Sequence, residues 1–178
     1  MDNRKIIKEW FYENKIPVTD VQIARFINYI ELVKDESKRM NLMSKKDLPN
    51  IIERHLLDSL HALTVYPFPS GASVADFGSG AGFPGIPIAI ACPDVNVTLI
   101  ESRRLKSLFL KKVIDHLDLK NVKVFHSRLE NLTVKFDIVL ARAIYKQERL
   151  RQMVMPKLSP SGVLLYFAKY KSIKIIEK

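Results

Sequence analysis

Alternating glycines preceded by an acidic residue form a stretch whose spacing suits ligand binding. Asp76 follows a short apolar run and precedes Gly78, Gly80 and Gly82, and Pro84 comes soon after. This order predicts a strand, a tight turn and the start of a helix. Glycine permits positive φ and lets a ligand approach the backbone closely. The free N–H groups at a helix start face whatever lies in the turn.

The glycine turn by itself fits two classes of cofactor. Gly80, Gly82 and Gly85 satisfy the G-x-G-x-x-G spacing of nicotinamide-binding folds. Asp76 would repel a pyrophosphate, whereas it can accept hydrogen bonds from the cationic amino-acid moiety of S-adenosylmethionine, directly or through water. Glu101 ends the next predicted strand, where a carboxylate can accept both hydroxyls of an adenosine ribose. The two acids favour S-adenosylmethionine over NAD; the other alternative is a turn that only packs a strand against a helix.

Three other places carry side chains that could take part in binding or catalysis. Glu130 follows the third predicted strand and either contacts an adenine amine or is solvated. Arg142 follows the fourth strand and could hold a cofactor carboxylate or a nucleic-acid phosphate, with a surface ion pair as the alternative. His55 and Asp58 share a helix face at i, i+3, and we favour a polar pair that staples the helix over a general base. The histidines lack metal-ligand spacing, so we expect no metal site.

Two hydrophobic patterns divide the chain at the Pro- and Gly-containing segment 66–71. Before it, helical spacing predicts two helices separated near Pro17 and a third from about Asp47. After it, short apolar strands alternate with helices, as in a doubly wound parallel sheet. We therefore predict a helical region over 1–65 packed on a Rossmann-like core over 66–178. The predicted strands are 74–77, 97–101, 122–125, 136–141 and 163–168, with an antiparallel strand within 171–178; the predicted helices are 84–92, 103–117 and 146–157.

Composition is that of an ordinary globular protein, with 47% hydrophobic and 27% charged residues in 178. No apolar run approaches membrane-spanning length, and the first residues lack a signal-peptide layout. The single cysteine, Cys92, excludes an internal disulfide and a cysteine-based zinc site. We therefore expect a cytoplasmic monomer with no metal and no membrane partner.

The net charge of +10 is concentrated in the second part of the chain. Residues 1–101 carry 11 Lys and Arg against 13 Asp and Glu, whereas residues 102–178 carry 18 against 6. This asymmetry predicts either a polyanionic partner or a merely solubilising surface. If the partner is RNA, we expect recognition through phosphates, shape and one extruded base. The basic face consists of Arg103, Arg104, Lys106, Lys111, Lys112, Lys120, Lys123, Lys146, Arg149, Arg151 and Lys157.

Several motifs also follow one another in a specific order. They are Asn41-Leu42, Arg54-His55-Leu56-Leu57-Asp58-Ser59-Leu60, the run from Asp76 to Pro87, Leu99-Ile100-Glu101-Ser102, Phe136-Asp137 and Arg142-Ala143. In this order they resemble the RsmG family, also called GidB, of bacterial 16S rRNA (guanine-N7) methyltransferases. The resemblance covers roughly residues 38–168. Two positions depart from the family pattern: Met43 stands where Thr is usual, and Tyr170 stands where Gly is usual. Compared with the family pattern, we expect a shortened C-terminal lobe after Tyr170.

The resemblance implies a class I S-adenosylmethionine-dependent methyltransferase fold. It also implies methylation of N7 of a guanine in the 530 loop of 16S rRNA, in the small ribosomal subunit. Arg142 would lie near the methyl donor and the target base, and Asn41 and the segment around His55 would border the substrate. The expected cofactor-binding residues are Asp76, Gly78, Ser79, Gly80, Phe83, Glu101, Leu129, Glu130 and Arg142. The expected RNA-binding residues are Asn41, His55, Arg103, Arg104, Lys106, Lys146 and Arg149.

Guanine N7 presents a lone pair at neutral pH, so its methylation requires no general base. Catalysis would come mainly from in-line positioning of donor and acceptor, with Arg142 as a positioning residue. Three alternatives stay open: a methyltransferase that acts on another RNA or on a protein, a nicotinamide-cofactor oxidoreductase, and a non-catalytic RNA-binding module.

Overall fold

Most of the chain is described by a computed structural model. Three residues with expected roles lie outside the described residues: Leu129 and Glu130, expected at the adenine, and Lys146, expected on the basic face. The described residues are 2–128, 131–142 and 147–178.

A single six-stranded sheet forms the centre of the fold. Its strands are β1 (Ser73–Phe77), β2 (Asn96–Ile100), β3 (Val122–Phe125), β4 (Phe136–Arg142), β5 (Leu158–Lys169) and β6 (Ser172–Glu177). The order across the sheet is β3-β2-β1-β4-β5-β6, parallel except for β6 beside β5. This confirms the predicted doubly wound sheet and its antiparallel last strand. The order reverses between β1 and β4, and ligands bind open α/β sheets at the carboxyl side of such a switch point.

Strand β5 is longer than the sequence pattern predicts. It begins at Leu158, whereas the apolar run that predicted it begins at Val163. The residues between them, Ser-Pro-Ser-Gly, are turn formers. Leu158 nevertheless pairs with Phe136, and the register between β4 and β5 shifts beyond that pair. The irregular pairing accommodates residues that the local pattern assigns to a turn.

Seven α-helices surround the sheet in the described part of the chain. They are α1 (Asn3–Glu13), α2 (Asp20–Ser37), α3 (Asp58–Leu60), α4 (Ala62–Val65), α5 (Gly85–Ala91), α6 (Arg104–Leu117) and α7 (Gln147–Val154). Helix α2 begins with a capping box in which Thr19 and Gln22 satisfy each other's backbone N–H groups. Among the residues so described, no helix is both long enough and apolar enough to cross a membrane.

The stretch between α2 and β1 is less regular than the single helix predicted from about Asp47. It contains a 3-10 turn, a π-helix over Ile52–Leu57, and then α3 and α4. Short π-helical turns are rare in proteins, and those that occur are often found at functional sites. This one carries Arg54 and His55. Apolar spacing over one or two turns cannot distinguish these helix types, so the prediction of one continuous helix was wrong.

The two faces of the sheet contribute to separate hydrophobic cores. In β4, Ile138 and Leu140 face the larger core, which they share with α1, α2, α5 and α6, whereas Val139 and Ala141 face the smaller core beneath α7. The N-terminal helices therefore share one core with the sheet. The side chain of Gln22 also donates to the carbonyls of Ile90 and Ala91 at the end of α5, at 2.9 and 3.1 Å.

At the amino edge of the sheet, Asp137 joins three strands. Its Oδ2 accepts from the backbone N–H of Ser73 at 2.9 Å and from the Ser73 hydroxyl at 2.7 Å, and its Oδ1 accepts from the Ser159 hydroxyl at 2.9 Å. These hydrogen bonds lower the pKa of the Asp137 carboxyl. The starts of β1, β4 and β5 are therefore held by one ionised side chain.

Candidate functional site

The glycine turn after β1 is bonded to the end of β2. The backbone N–H groups of Gly78 and Ser79 both donate to the carbonyl of Ile100, at 2.9 and 3.1 Å. Gly78 and Gly80 have φ of +73° and +57°, in the left-handed region that glycine occupies without steric cost. The predicted tight turn therefore lies at the carboxyl edge of the sheet, beside the strand end that carries Glu101.

Glu101 anchors this turn from the second strand. Glu101 is only 6% exposed, and its Oε2 accepts from the backbone N–H of Gly80 at 2.9 Å. Its Oε1 accepts from the N–H of Arg103 at 2.8 Å, at the start of α6. A carboxylate offers about four lone-pair sites. These bonds therefore leave capacity for ribose hydroxyls, and that role of Glu101 stays a prediction.

Asp76 supports the turn from inside the protein. It is 1% exposed, and its Oδ2 accepts from the backbone N–H of Gly85, the first residue of α5, at 3.1 Å. The Ser79 hydroxyl donates to the Asp76 carbonyl at 2.9 Å. A Cβ on Gly85 would collide with the Leu99 side chain and lie 2.7 Å from Asp76 Oδ2. Only glycine lets the helix start so close to this carboxyl group.

Burial gives Asp76 an unusual protonation equilibrium. Desolvation, together with a smaller effect of the nearby Glu101 charge, raises the pKa of its carboxyl to about 7. The hydrogen bond from the Gly85 N–H and the nearby Ser79 hydroxyl oppose this shift, as does the positive charge of Arg142. A cationic group bound beside Asp76 would favour its ionised form, which suits the predicted contact with an ammonium group.

The N-terminal helices cover the turn. Tyr29 of α2 is fully buried, and its hydroxyl donates to the carbonyl of Ala81 at 2.9 Å. Its ring centroid lies 5.0 Å from that of Phe83, which in turn lies 5.4 Å from the His55 ring. Burial lowers the pKa of His55 to about 4, assisted by the Arg142 charge. The imidazole is therefore neutral at pH 7 and fills space beside Phe83.

Arg142, at the end of β4, is held through one of its two terminal nitrogens. Its Nη2 lies 2.8 Å from Oδ2 of Asp58 and donates to the carbonyl of Arg54 at 2.5 Å. Its Nη1 is buried and has no hydrogen-bond partner in the described part of the chain. A buried guanidinium nitrogen without a partner is costly unless a ligand supplies an acceptor. This donor therefore fits an anionic or carbonyl group of a bound molecule.

The predicted pairing of His55 with Asp58 was wrong. Asp58 directs Oδ2 to Arg142 and accepts the backbone N–H of Lys171 at Oδ1, at 2.5 Å. His55 instead contacts Phe83. The i, i+3 spacing assumed a regular α-helix, whereas His55 lies in the π-helix and Asp58 begins α3.

Two basic segments lie beside the turn: the start of α6 and the stretch that follows Asn41. Lys106 of α6 donates to the carbonyl of Leu42 at 3.4 Å, and its Nζ would lie 4.0 Å from a Cβ on Gly80. The segment around Asn41 is thereby held against the start of α6. Arg103, Arg104 and Arg149 are exposed, as is Asn41.

No cluster of His, Cys, Asp and Glu within residues 2–128, 131–142 and 147–178 could hold a metal ion.

Sequence reasoning missed two residues of this site. Tyr29 lies outside the apolar stripe that predicted α2, and nothing in its spacing indicated a hydrogen bond to the turn more than fifty residues later. Asp58 was noticed, but it was assigned to a neighbour on its own helix. Its true partners, Arg142 and Lys171, come from distant parts of the chain.

We predict that Gly82→Ala is more destabilising than Gly71→Ala. Both glycines have positive φ, so each substitution strains the backbone by about 1–2 kcal/mol. A Cβ at Gly71 meets no atom within 4 Å, whereas one at Gly82 would lie 2.8 Å from Ile86 and 2.9 Å from the Tyr29 hydroxyl. Overpacking adds about 1–3 kcal/mol at Gly82. Urea unfolding measures both variants, and equal losses would contradict the packing of Tyr29 on the turn.

We also predict a pH-dependent contribution from Asp76. The pKa of its carboxyl is about 7 in the folded state and 3.8 when unperturbed. The folded protein therefore binds more protons between these values, and stability falls as pH rises through that window. The free energy of unfolding of the wild type, relative to Asp76→Asn, should decline between about pH 4 and pH 7 and then level off. Urea titrations at several pH values measure the difference, and parallel curves would show that Asp76 is ionised throughout.

Known proteins resemble the chain in sequence. The family model described as GidB, rRNA small subunit methyltransferase G, matches residues 22–177. Similar proteins named ribosomal RNA small subunit methyltransferase G occur in Lachnoclostridium phytofermentans, at 37% identity over 88% of this chain and 66% of the relative. Others are those of Desulforamulus reducens, at 35% over 97% and 73%, and Nitrosomonas europaea, at 40% over 73% and 60%.

Solved structures are similar in fold at lower sequence identity. A SAM-dependent methyltransferase from Aquifex aeolicus has a TM-score of 0.56 at 20% identity, over 68% of each chain. Coclaurine N-methyltransferase bound to N-methylheliamine and SAH has a TM-score of 0.60 at 16% identity, over 92% of this chain and 55% of that one. These structures confirm the Rossmann-like methyltransferase fold.

The chain spans 60–73% of the length of the three relatives named above. The family match covers most of the chain, and the relatives exceed 30% identity over most of it. On this evidence, the chain belongs to the GidB family of rRNA small subunit methyltransferase G proteins.

Proposed function

We propose that the protein is an S-adenosylmethionine-dependent methyltransferase that modifies N7 of a guanine in the 530 loop of 16S rRNA. The substrate is 16S rRNA or the small ribosomal subunit, and we expect a cytoplasmic monomer. The observation that carries the proposal is that Nη1 of Arg142 is buried and has no hydrogen-bond partner among the described residues, together with a glycine turn braced by Asp76 and Glu101. Family membership supports the reaction and the substrate.

The residues at the turn fit the parts of S-adenosylmethionine. Glu101 would accept the ribose hydroxyls, and Gly78 to Gly80 would let the adenosyl group approach the backbone closely. Arg142 Nη1 would donate to the amino-acid carboxylate, and Asp76 would attract the α-ammonium group directly or through water. Phe83 would line the pocket, and Leu129 and Glu130 would border the adenine.

When bound, S-adenosylmethionine supplies an electrophilic methyl group. Because guanine N7 already carries an available lone pair, the protein's residues need to position the reactants and not to move a proton. The neutral His55 is consistent with this, since its pKa of about 4 makes it a weak base. Arg142 would best serve away from N7, because positive charge develops on the purine ring. Its positive charge would be better placed on the cofactor carboxylate.

A basic segment next to the pocket would hold the RNA backbone. The stretch 42–47 is fixed at one end by Lys106, which donates to the Leu42 carbonyl, and at the other by the ion pair of Asp47 with Arg54 at 3.3 Å. Lys45 and Lys46 lie between these anchors and are exposed.

The charges on this segment, and those of Arg103 and Arg104 at the start of α6, are available for phosphates. Within the described residues, the side chains of Lys45, Lys46, Arg103 and Arg104 make no hydrogen bond or ion pair. Lys5, Lys8 and Lys34 differ, since each forms an ion pair with a nearby acid. Unpaired cations around the pocket suit backbone phosphates, which fix the position of the RNA without reading its sequence. Asn41, Lys146 and Arg149 would extend this contact.

The reaction is tested with labelled S-adenosylmethionine and small subunits that lack the modification. We expect label at N7 of one guanine in the 530 loop. Arg142→Ala should lower the rate at least about 100-fold, because small misplacement of a reactant is enough for such a loss. Arg25→Ala, which removes the same charge from α2, is the control and should retain activity.

Other outcomes of this experiment separate the alternatives. Label in transfer RNA or protein would contradict the substrate assignment. Tight cofactor binding without turnover on any ribosomal RNA would favour a non-catalytic RNA-binding module. Wild-type activity in Arg142→Ala would contradict the role given to its side chain.

RNA contact is tested with charge-matched triple variants. We expect the combined variant Lys45→Ala, Lys46→Ala and Arg104→Ala to bind RNA more weakly. The slope of log K against log salt should also become shallower by about 2, since each phosphate contact in single-stranded RNA contributes about 0.7. The control removes three paired cations outside the basic face, Lys5, Lys8 and Lys34. Equal losses in both triple variants would mean that net charge alone governs binding.

A further inference from the structure

We propose that Asp58 is a positioning residue that aims the guanidinium group of Arg142 at the bound cofactor. The inference rests on the proposed function, since it assigns the cofactor carboxylate to Nη1 of Arg142. It assigns Asp58 no contact with cofactor or substrate. Asp58 would act only through the orientation of Arg142.

The geometry around Asp58 fixes its carboxylate in place. It is 1% exposed, and its two carboxylate oxygens have different partners. Oδ2 lies 2.8 Å from Nη2 of Arg142, and Oδ1 accepts from the backbone N–H of Lys171 at 2.5 Å. A buried carboxylate with both oxygens so occupied is a fixed point rather than a proton carrier.

The planarity of the guanidinium group transmits this constraint to Nη1. Nη2 carries two hydrogens, and its two acceptors are Oδ2 of Asp58 and the carbonyl of Arg54. Two acceptors on one nitrogen set the plane of the whole group. The other terminal nitrogen, Nη1, is then directed to a place where the described residues offer no acceptor.

Electrostatics adds to the geometric argument. Arg142 is largely buried, and a buried cation without a counter-charge is strongly destabilised. Asp58 supplies the nearby carboxylate with which Arg142 forms its ion pair. Without this carboxylate, the guanidinium group would gain by turning toward water and away from the pocket.

Three separate parts of the chain meet at this carboxylate. Asp58 begins α3, Arg142 ends β4, and Lys171 forms the turn between β5 and β6. A purely structural reading therefore exists, in which Asp58 only fastens the β5–β6 turn to the helices. The two readings differ in whether cofactor affinity depends on Asp58 through Arg142.

The test measures binding of S-adenosylhomocysteine by calorimetry in a double-mutant cycle. Asp58→Asn should weaken binding about 10- to 100-fold, the range expected for a charge-assisted hydrogen bond. In an Arg142→Ala background, the same change should have little further effect on Kd, because residues that act through one interaction are not additive. In methylation assays, the apparent KM for the cofactor should rise more than kcat falls.

Two further variants separate positioning from folding. Asp137→Asn alters a carboxylate that likewise accepts a backbone N–H and joins strands, but at the opposite edge of the sheet. It should lower stability and leave the Kd unchanged. Asp58→Glu keeps the charge and should recover part of the affinity lost in Asp58→Asn, even if both variants unfold at lower denaturant.

The outcomes distinguish this inference from the proposed function. Wild-type affinity in a folded Asp58→Asn variant, or equal losses with and without Arg142, would overturn the inference and leave the methyltransferase assignment intact. Affinity loss in Asp58→Asn that disappears in the Arg142→Ala background supports it, even if the methylated nucleotide proves to be a different one. Failure of the wild-type protein to bind S-adenosylhomocysteine would overturn both.

Discussion

Buried carboxylates that accept backbone N–H groups hold this site together. Glu101 accepts from Gly80 and Arg103, Asp76 accepts from Gly85, and Asp58 accepts from Lys171, at 2.5–3.1 Å. In each case the acid lies on or beside a regular element and the donor lies in a turn or at a helix start. A buried charge is tolerated only when its lone pairs are occupied, so each acid fixes the turn that it contacts.

This arrangement joins residues from separate parts of the described chain into one site. The glycine turn follows β1, but the residue that covers it is Tyr29 of α2. The neighbouring cation is Arg142 of β4. The helices before 66 and the sheet after it share one hydrophobic core. The division at 66 remains a prediction about how the sequence is organised. Within the site, residues from both sides of that boundary contact one another, as Tyr29 does with Ala81 and Phe83.

Opposite pKa shifts at the site have a common cause. Burial raises the pKa of the Asp76 carboxyl to about 7 and lowers that of the His55 imidazole to about 4. Both shifts favour the neutral form, as expected in a region with little water. The proposed methylation of N7 would require no base from this site. A bound cation could change the ionisation of Asp76, whereas His55 stays neutral near pH 7.

The sequence alone determined the fold class, the strand–turn–helix at Asp76 to Gly85 and the family, because each depends on local signals. Hydrophobic alternation reports which residues face a core, and glycine reports where positive φ is required. Only the tertiary structure decided the partners of Asp58, the contact of Tyr29 with Ala81 and the burial of Arg142 Nη1 without a hydrogen-bond partner among the described residues. The contacts of Asp58 and Tyr29 join residues dozens of positions apart. Local spacing gives no information about such contacts, because they form only when the carboxyl ends of the strands come together against the N-terminal helices.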